Sequence, residues 1–339
     1  MVVQSCSWSA PFHASYTRKD LMNYALAIGF SSDENINDHC FTFEKDPRFE
    51  SVPTFCLVLP SWATQKPGKN FSYIQPFPTP LMSSIGLIPE HLIKRPIDAK
   101  RCPILHMDQS VIWHNKLPVP STSAEDSMST IDTLISSRTV GVIPKSIGTF
   151  VESETRVCSV DGELICTLAS TILILGIGSQ NVQPLISNNL SVRKRREVPR
   201  TPADFEWTYT TLPNQALLYR LASGDFNKIH VYQTTAAMIN ERPIQNVPGR
   251  PLLHGLCTLG IAFRGLCRML ETEKIEFISL KAHFTKPFFV GDVLVMRAWY
   301  ASDTKIIFQV KSETSDVIAI DQGEVVFQQA HKLAMMSRI

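Results

Sequence analysis

Two short segments in the second half of this 339-residue chain hold the side chains best suited to acid–base chemistry. The first contains Asp225, Asn227 and His230, and the second contains His254 and Gly255 at the start of an apolar run. Asp225 and His230 are too far apart in sequence for one helical face at ideal spacing, but a tight turn or a loop could converge them. A carboxylate and an imidazole that converge can activate a water molecule or move a proton. Free N–H groups at the start of the following helix can hold an oxyanion.

Apolar patterning predicts the elements that must position these residues. In the second half it predicts helices over 213–221 and 253–270, followed by strands over 275–284, 293–301, 306–313 and 316–328. In the first half it predicts a helix over 17–29 and strands over 104–113, 127–134, 146–152, 155–159 and 163–175. Each half therefore ends in an antiparallel sheet that follows a helix, which is an α+β arrangement.

The chain is expected to divide into two similar halves. Residues 1–185 form the first, a polar stretch over 186–203 that includes the basic run 193–196 forms a linker, residues 204–332 form the second, and 333–339 form a tail. Similar Lys- and Pro-containing sequences at 116–121 and 286–291 indicate a faint internal duplication.

Composition excludes several classes of function. The hydrophobic fraction of 44% predicts a globular protein with a good core, and a net charge of +2 does not point to nucleic acid. The eight cysteines are scattered and favour buried free thiols over a disulfide framework. Cysteine and histidine show no metal-ligand spacing, so no metal site is expected. The longest apolar stretch is too short to span a membrane, and no secretory signal is expected.

The two chemical segments also carry a family resemblance. The pattern S-G-D-x-N-x-x-H followed by P-x-L-H-G-L-C-T-x-G resembles the (R)-specific 2-enoyl-CoA hydratases, the hydratase 2 branch of the MaoC-like proteins. Residues 24–29, 52–55, 104–109 and 281–287 are similar to other segments of that family, so the resemblance covers most of the chain. It implies two hot-dog folds in one chain, a double hot dog, each with an antiparallel sheet wrapping a central helix. It further implies a degenerate first half that accommodates a long acyl tail.

The resemblance implies a role for each catalytic candidate. Asp225 and His230 would hold the water added to an α,β-unsaturated thioester, Asn227 would orient it, and Gly255 would donate its N–H to the thioester oxygen. Hydratase and dehydratase are the two directions of this chemistry. Left open are an Asp225 that only caps a helix, a His230 that is a satisfied core residue, and a Gly255 needed only for packing.

Six further residues are candidates for binding substrate or supporting the site. His254 is interpreted as a support of the loop, Asp108 as a structural residue or a substrate contact, and Tyr219 as a tail-lining or core residue. Lys281 and Lys286, with Arg264 as a third basic residue, are candidates for the coenzyme A phosphates, although each alone is more often an exposed residue. Coenzyme A is part of the substrate, so no separate cofactor is expected.

Three departures from the family pattern bear on the reaction. Lys228 stands where Pro is usual, Tyr232 where Asp is usual, and the stretch between His230 and His254 is longer, around 240–249. These changes indicate a changed substrate, as in a fungal specialised-metabolite pathway. They leave open an isomerase or cyclase acting on a pathway thioester, a binding module, or a hot-dog thioesterase.

The final residues Ser337-Arg338-Ile339 are a conservative variant of a peroxisomal address. They predict a peroxisomal protein that binds an import receptor, with a cytoplasmic protein as the alternative. The expected partner is an acyl-CoA substrate, with no membrane span, no attached dehydrogenase or sterol-carrier segment, and a homodimer left open.

Overall fold

The computed structural model describes residues 6–31, 35–62, 88–95, 102, 104–121, 129–185, 198–225, 227–232, 250–270 and 275–329. Three features of the sequence lie largely or wholly outside these residues: the proposed linker with its basic run, the long stretch around 240–249, and the C-terminal tripeptide.

All ten strands of the described chain form one antiparallel sheet in the order β1-β3-β4-β5-β2-β7-β10-β9-β8-β6. The strands of the first half are β1 (Phe12–Tyr16), β2 (Ile104–Trp113), β3 (Ile131–Pro144), β4 (Gly148–Ser159) and β5 (Leu164–Leu175). Those of the second half are β6 (Phe205–Thr210), β7 (Ile275–Phe284), β8 (Val293–Ser302), β9 (Lys305–Ser312) and β10 (Val317–Gln329).

The strand order reveals the internal duplication. Within each half, the first strand pairs with the third, the third with the fourth, the fourth with the fifth, and the fifth with the second. The two halves then meet through β2 and β7, which pair from Asp108↔His283 to Ile112↔Ser279. The expected pair of antiparallel sheets is therefore present, but the two sheets are continuous.

The helices lie mostly against this sheet and against each other. They are α1 (Arg18–Ala27), α2 (His39–Thr42), α3 (Leu59–Trp62), α4 (Gln215–Ser223) and α5 (Gly255–Met269), and short 3₁₀ turns cover Ile36–Asp38, Pro53–Leu57, Glu90–Leu92 and Lys228–His230. None of the helices in the described residues is long and apolar enough to cross a membrane.

Helix α5 is the central helix of the second half. Its residues from Cys257 to Leu266 are all buried, and Leu256 is half-buried. In the first half, the Pro53–Leu57 turn and the start of α3 contribute to the same hydrophobic core as α5. There Phe55, Cys56 and Leu59 are fully buried, and the Trp113 indole N–H of β2 donates to the Pro53 carbonyl over 3.1 Å.

Two buried ion pairs fasten loops to these elements. Arg268 in the last turn of α5 donates to both carboxylate oxygens of Asp38, over 2.9 and 2.6 Å. Arg250 donates to Asp292 over 2.6 Å, and the Asp292 side chain is fully buried. A carboxylate can be buried at low cost only when it is paired with a positive charge and hydrogen-bonded, so the folded protein needs both ion pairs intact.

Candidate active site

A series of short turns brings Asp225 next to His230. Helix α4 ends at Ser223 because Gly224 takes a left-handed conformation, with φ of 68°, that favours glycine. The Asp225 N–H then donates to Ser223 Oγ over 3.2 Å, and Asp225 Oδ1 accepts the Asn227 N–H over 2.9 Å. Both of the expected means of convergence, the turn at Ser223-Gly224 and the loop at Asn227, therefore occur.

Asn227 has a local structural role. Its side-chain oxygen accepts the Ile229 N–H over 3.3 Å and caps the 3₁₀ turn that carries His230. A side-chain cap of this kind fixes where the turn begins. The resemblance predicted that Asn227 orients water, and that prediction is untested.

His230 is held in a defined orientation. Its Nδ1 lies 2.9 Å from the Leu252 carbonyl, so Nδ1–H donates there and Nε2 carries the lone pair. Burial lowers the pKa of His230, and the charge of Asp225 opposes this shift. A neutral imidazole with a fixed lone pair can accept a proton from water.

His254 lies directly against His230. The two rings stack with centroids 3.7 Å apart, and His254 Nε2 is 4.0 Å from Asp225 Oδ2. The side chain is buried, and neither ring nitrogen has a hydrogen-bond partner of good geometry among the described residues. Burial, reinforced by the neighbouring His230, lowers the pKa of His254 well below its usual range.

One donor atom from each of Asp225, His230 and His254 falls within 4.8 Å of the others, a spacing compatible with a metal ion. The two imidazole planes are stacked at an interplanar angle of 22°. A water molecule with hydrogen bonds of about 2.8 Å to Asp225 and His230 fits the same spacing.

Gly255 is the first residue of α5, and its helix begins without a side-chain cap. The first N–H groups of such a helix are available to a ligand oxygen. A β-carbon at Gly255 would lie 3.3 Å from the Phe284 ring, which is closer than ordinary contact. Glycine therefore lets this helix start approach β7.

The first half contributes His106, which the sequence analysis did not single out. A β-bulge on β2 leaves Met107 unpaired, because His106 opposes Ile172 while Asp108 opposes Thr171. The bulge turns the His106 side chain towards Phe284, with ring centroids 5.1 Å apart. Burial lowers the pKa of His106 to about 4, and the charge of Asp225 opposes the shift. Recognising it needed the position of the bulge.

Asp108 lies on the opposite face of β2. It is directly across from His283 of β7, whose Nδ1 is 2.6 Å from Asp108 Oδ1. Its neighbours in the pairing, Gln109 and Ala282, are buried towards the core, and successive residues of a strand face opposite sides. This placement favours the structural interpretation of Asp108.

The other candidates for substrate binding are distributed as follows. Tyr219 is buried, with its ring 5.0 Å from that of His254, so it supports the site from the core. Lys281 is exposed and lies 3.6 Å from Glu324, and Lys286 is also exposed. Their contact with coenzyme A phosphates stays a prediction.

The prediction that Arg264 could reach those phosphates is wrong. Arg264 is fully buried, and its guanidinium carbon lies 5.1 Å from the Tyr209 ring and 5.4 Å from the Trp207 ring. Its position inside α5 encloses the charge among aromatic rings, and burial lowers its pKa to about 10.

Both halves of the chain match known protein families. Residues 194–322 match the MaoC like domain, and residues 14–83 match the MFE-2 hydratase 2 N-terminal domain. The chain is 28% identical to the peroxisomal multifunctional enzyme type 2 of Drosophila melanogaster over 93% of its own length, but it spans only 45% of that relative. It is 23% identical to the probable enoyl-CoA hydratase 2 of Dictyostelium discoideum, covering 95% of this chain and 94% of the relative.

A solved structure agrees with these matches. The MaoC-like dehydratase of Phytophthora capsici superposes with a TM-score of 0.69 at 26% identity, covering 94% of this chain and 95% of the other. Together with the duplicated strand order, these similarities show that the chain is a MaoC-like protein that combines a MaoC like domain with an MFE-2 hydratase 2 N-terminal domain in a double hot-dog fold.

Proposed function

We propose that this protein is a hydro-lyase that interconverts trans-2-enoyl-CoA and (3R)-3-hydroxyacyl-CoA. The observation that carries the proposal is the placement of donor atoms of Asp225 and His230 within 4.8 Å of each other, with His230 Nε2 free to act as a base. The similarity to a probable enoyl-CoA hydratase 2 over nearly the whole of both chains supports it.

In the hydration direction, the two side chains share one water molecule. As the water oxygen bonds to Cβ, His230 Nε2 accepts a proton from the water while the Asp225 carboxylate holds the water in place, and the resulting imidazolium delivers that proton to Cα. The net reaction adds one water across the double bond and leaves both side chains in their original protonation states. General acid–base assistance of this kind typically contributes 10²–10⁴-fold to the rate.

Negative charge grows on the thioester oxygen while Cβ is attacked. The Gly255 N–H at the start of α5 is proposed to donate to that oxygen, and the positive end of the helix dipole favours the same charge. A preorganised donor of this type is worth about 3 kcal/mol in the transition state.

Two of the three family departures, Lys228 and Tyr232, lie at the surface. Lys228 is exposed, and Tyr232 is 55% exposed. Since the side chains that differ lie at the surface while Asp225 and His230 are retained, a retained hydration reaction is favoured over an isomerase or cyclase. The thioesterase alternative predicts release of free coenzyme A, which hydration does not produce.

The decisive experiment follows the ultraviolet absorbance of trans-2-enoyl-CoAs of several chain lengths with the purified protein. We expect the conjugated-enoyl signal to fall with the wild type and to fall at least about 100-fold more slowly with Asp225→Asn and His230→Gln. Asp321→Asn, a half-buried aspartate of β10 that accepts a hydrogen bond from Gln309, is the matched control and should keep wild-type rates. Chiral analysis of the product tests the (3R) configuration, and a thiol reagent detects thioester hydrolysis. Wild-type rates in both site variants would refute the assignment.

We further propose that the protein is imported into peroxisomes through Ser337-Arg338-Ile339. Two relatives, the Drosophila enzyme and an Arabidopsis thaliana enoyl-CoA hydratase 2, are named as peroxisomal, which supports this location. A fluorescent protein fused to the N-terminus should co-localise with a peroxisomal marker and become diffuse when the tripeptide is deleted. An unchanged distribution after the deletion would exclude this signal.

A further inference from the structure

Asp292 is a fully buried carboxylate at the start of the strand region that follows Gly291, and both of its oxygens are used. Oδ1 accepts a hydrogen bond from Arg250 Nη2 over 2.6 Å. Oδ2 accepts hydrogen bonds from the hydroxyl groups of Ser312 and Ser315, each over 2.8 Å. The end of β9 and the turn that follows it therefore fix the position of this carboxylate. The carboxylate then fixes the position of Arg250.

Arg250 also holds the neighbouring backbone. Its Nη1 donates to the Val290 carbonyl over 2.8 Å, while the Val290 N–H donates to the Pro251 carbonyl over 3.3 Å. The guanidinium thus links the buried Asp292 to the Val290 carbonyl. The Val290 N–H in turn bonds to Pro251, the residue that follows Arg250 in the chain.

The segment that begins at Arg250 also contacts the His230 imidazole. The Leu252 N–H donates to the Ile229 carbonyl over 3.2 Å, and the Leu252 carbonyl accepts Nδ1–H of His230 over 2.9 Å. The Leu253 N–H donates to the Phe288 carbonyl over 2.8 Å. The Leu252 carbonyl is consequently held on both sides, and it is the group that fixes which nitrogen of His230 is protonated.

We propose that Arg250 is a positioning residue that, through Asp292, holds the Leu252 carbonyl in place and so fixes the tautomer and orientation of His230. The proposal rests on the proposed function only for its kinetic consequence. The hydrogen bond at one imidazole nitrogen determines the state of the other nitrogen. A displacement of about 1 Å at a reacting group can cost about 100-fold in rate.

The chain supplies a matched control for the loss of a buried ion pair. Arg268 and Asp38 form a pair with the same shortest distance of 2.6 Å and a comparably buried carboxylate. Arg268 lies in the last turn of α5, at the opposite end from Gly255. Arg250→Ala and Arg268→Ala therefore both remove the partner of a buried aspartate, but only the first removes a contact with the segment that holds His230.

The first measurement is kinetic, at a temperature where both variants are folded by circular dichroism. We expect Arg250→Ala to lower kcat by about 10- to 100-fold with KM changed less than about threefold, and Arg268→Ala to keep kcat within about threefold of the wild type. Arg250→Lys should recover part of the loss. Because the Arg250 side chain is 31% exposed, added guanidinium ion should also raise kcat of Arg250→Ala and leave Arg268→Ala unchanged. Equal kcat losses in the two alanine variants, or an undiminished kcat in Arg250→Ala, would overturn the proposal.

The second measurement does not depend on any reaction. In protein labelled with ¹⁵N-histidine, nuclear magnetic resonance should show the His230 Nδ1–H tautomer in the wild type and in Arg268→Ala, and a mixture of tautomers in Arg250→Ala. His230→Gln identifies the signal. If the wild type hydrates no enoyl thioester, the proposed function fails, and this spectrum still decides the positioning role. An unchanged His230 tautomer in Arg250→Ala would refute it.

Discussion

Asp108 of the first half and His283 of the second lie directly opposite each other on β2 and β7, with Oδ1 and Nδ1 2.6 Å apart. This contact crosses the strand pair that joins the two halves of the sheet. It lies on the face opposite the buried Gln109 and Ala282.

Asp108→Asn should therefore affect folding more than turnover. Loss of the charge-assisted hydrogen bond at this largely buried position is expected to lower the free energy of unfolding by about 1–2 kcal/mol. Urea denaturation measures the loss, and kcat and KM should stay near wild-type values. A large increase in KM at unchanged stability would instead establish Asp108 as a substrate contact.

His106→Ala should impair catalysis although the residue belongs to the first half. The imidazole contacts Phe284 and lies within the electrostatic reach of Asp225, so its removal opens space beside Phe284 and changes the electrostatic surroundings of the proposed catalytic carboxylate. We expect kcat/KM to fall by about tenfold, which corresponds to about 1.4 kcal/mol of transition-state stabilisation. The matched control is His114→Ala, one residue beyond the far end of β2, where the exposed ring contacts Thr167. Equal kcat/KM values in the two variants would exclude a contribution from His106.

Three histidines with lowered pKa values should make the protein sensitive to acid. The pKa of His106 is lowered to about 4, and those of His230 and His254 are also lowered. In the unfolded chain these groups titrate near 6.5, so the unfolded state binds more protons between the two values. The stabilisation is present above about pH 6.5 and is lost as pH falls towards 4.

Thermal unfolding between about pH 6.5 and pH 4 tests the sign of this pH dependence of stability. The unfolding temperature should fall as the solution is acidified below pH 6.5, and it should fall less steeply in His106→Gln. An unfolding temperature that rises on acidification in the wild type would contradict buried neutral imidazoles.

Gly255→Ala should lower turnover by displacing the start of α5. The added β-carbon would be 3.3 Å from Phe284, so either the ring or the helix must move. We expect kcat to fall by about 10- to 100-fold, less than the about 100- to 1000-fold typical for complete loss of an oxyanion donor, because alanine keeps the N–H. The double variant Gly255→Ala with Phe284→Leu provides more room and should recover part of kcat. A double variant no faster than Gly255→Ala would show that Phe284 is not the obstacle.

Sequence patterning predicted the second half well because its elements have clear periodicity. The strand predicted over 275–284 has the observed bounds of β7, and the helix predicted over 253–270 differs from α5 only at its ends. Strand β6 was missed, although Phe205–Thr210 alternates between half-buried and exposed residues, which is the signal of a strand. In the first half, β3 runs over 131–144 instead of 127–134, and β4 is one continuous strand instead of two.

The site was predictable only in part. Asp225, His230 and Gly255 stand in local patterns that a sequence displays directly, and short turns bring the first two together. His106 required a bulge whose position depends on the register with β5. The Arg250–Asp292 pair joins residues 42 positions apart and has no periodic signal. Contacts of this kind are set by the tertiary fold, which local propensity does not encode.

The two halves that pair through β2 and β7 belong to one chain, and this fixes the stoichiometry of the site. His106 and Asp225 come from different copies of the duplicated fold, yet a single covalent chain always supplies one of each. If the two copies were separate chains, they would have to associate, and the concentration of their complex would limit activity. Fusion removes that dependence on dilution. It also releases the copies from symmetry, because a substitution in one half is no longer repeated in the other, so each half can diverge towards its own task.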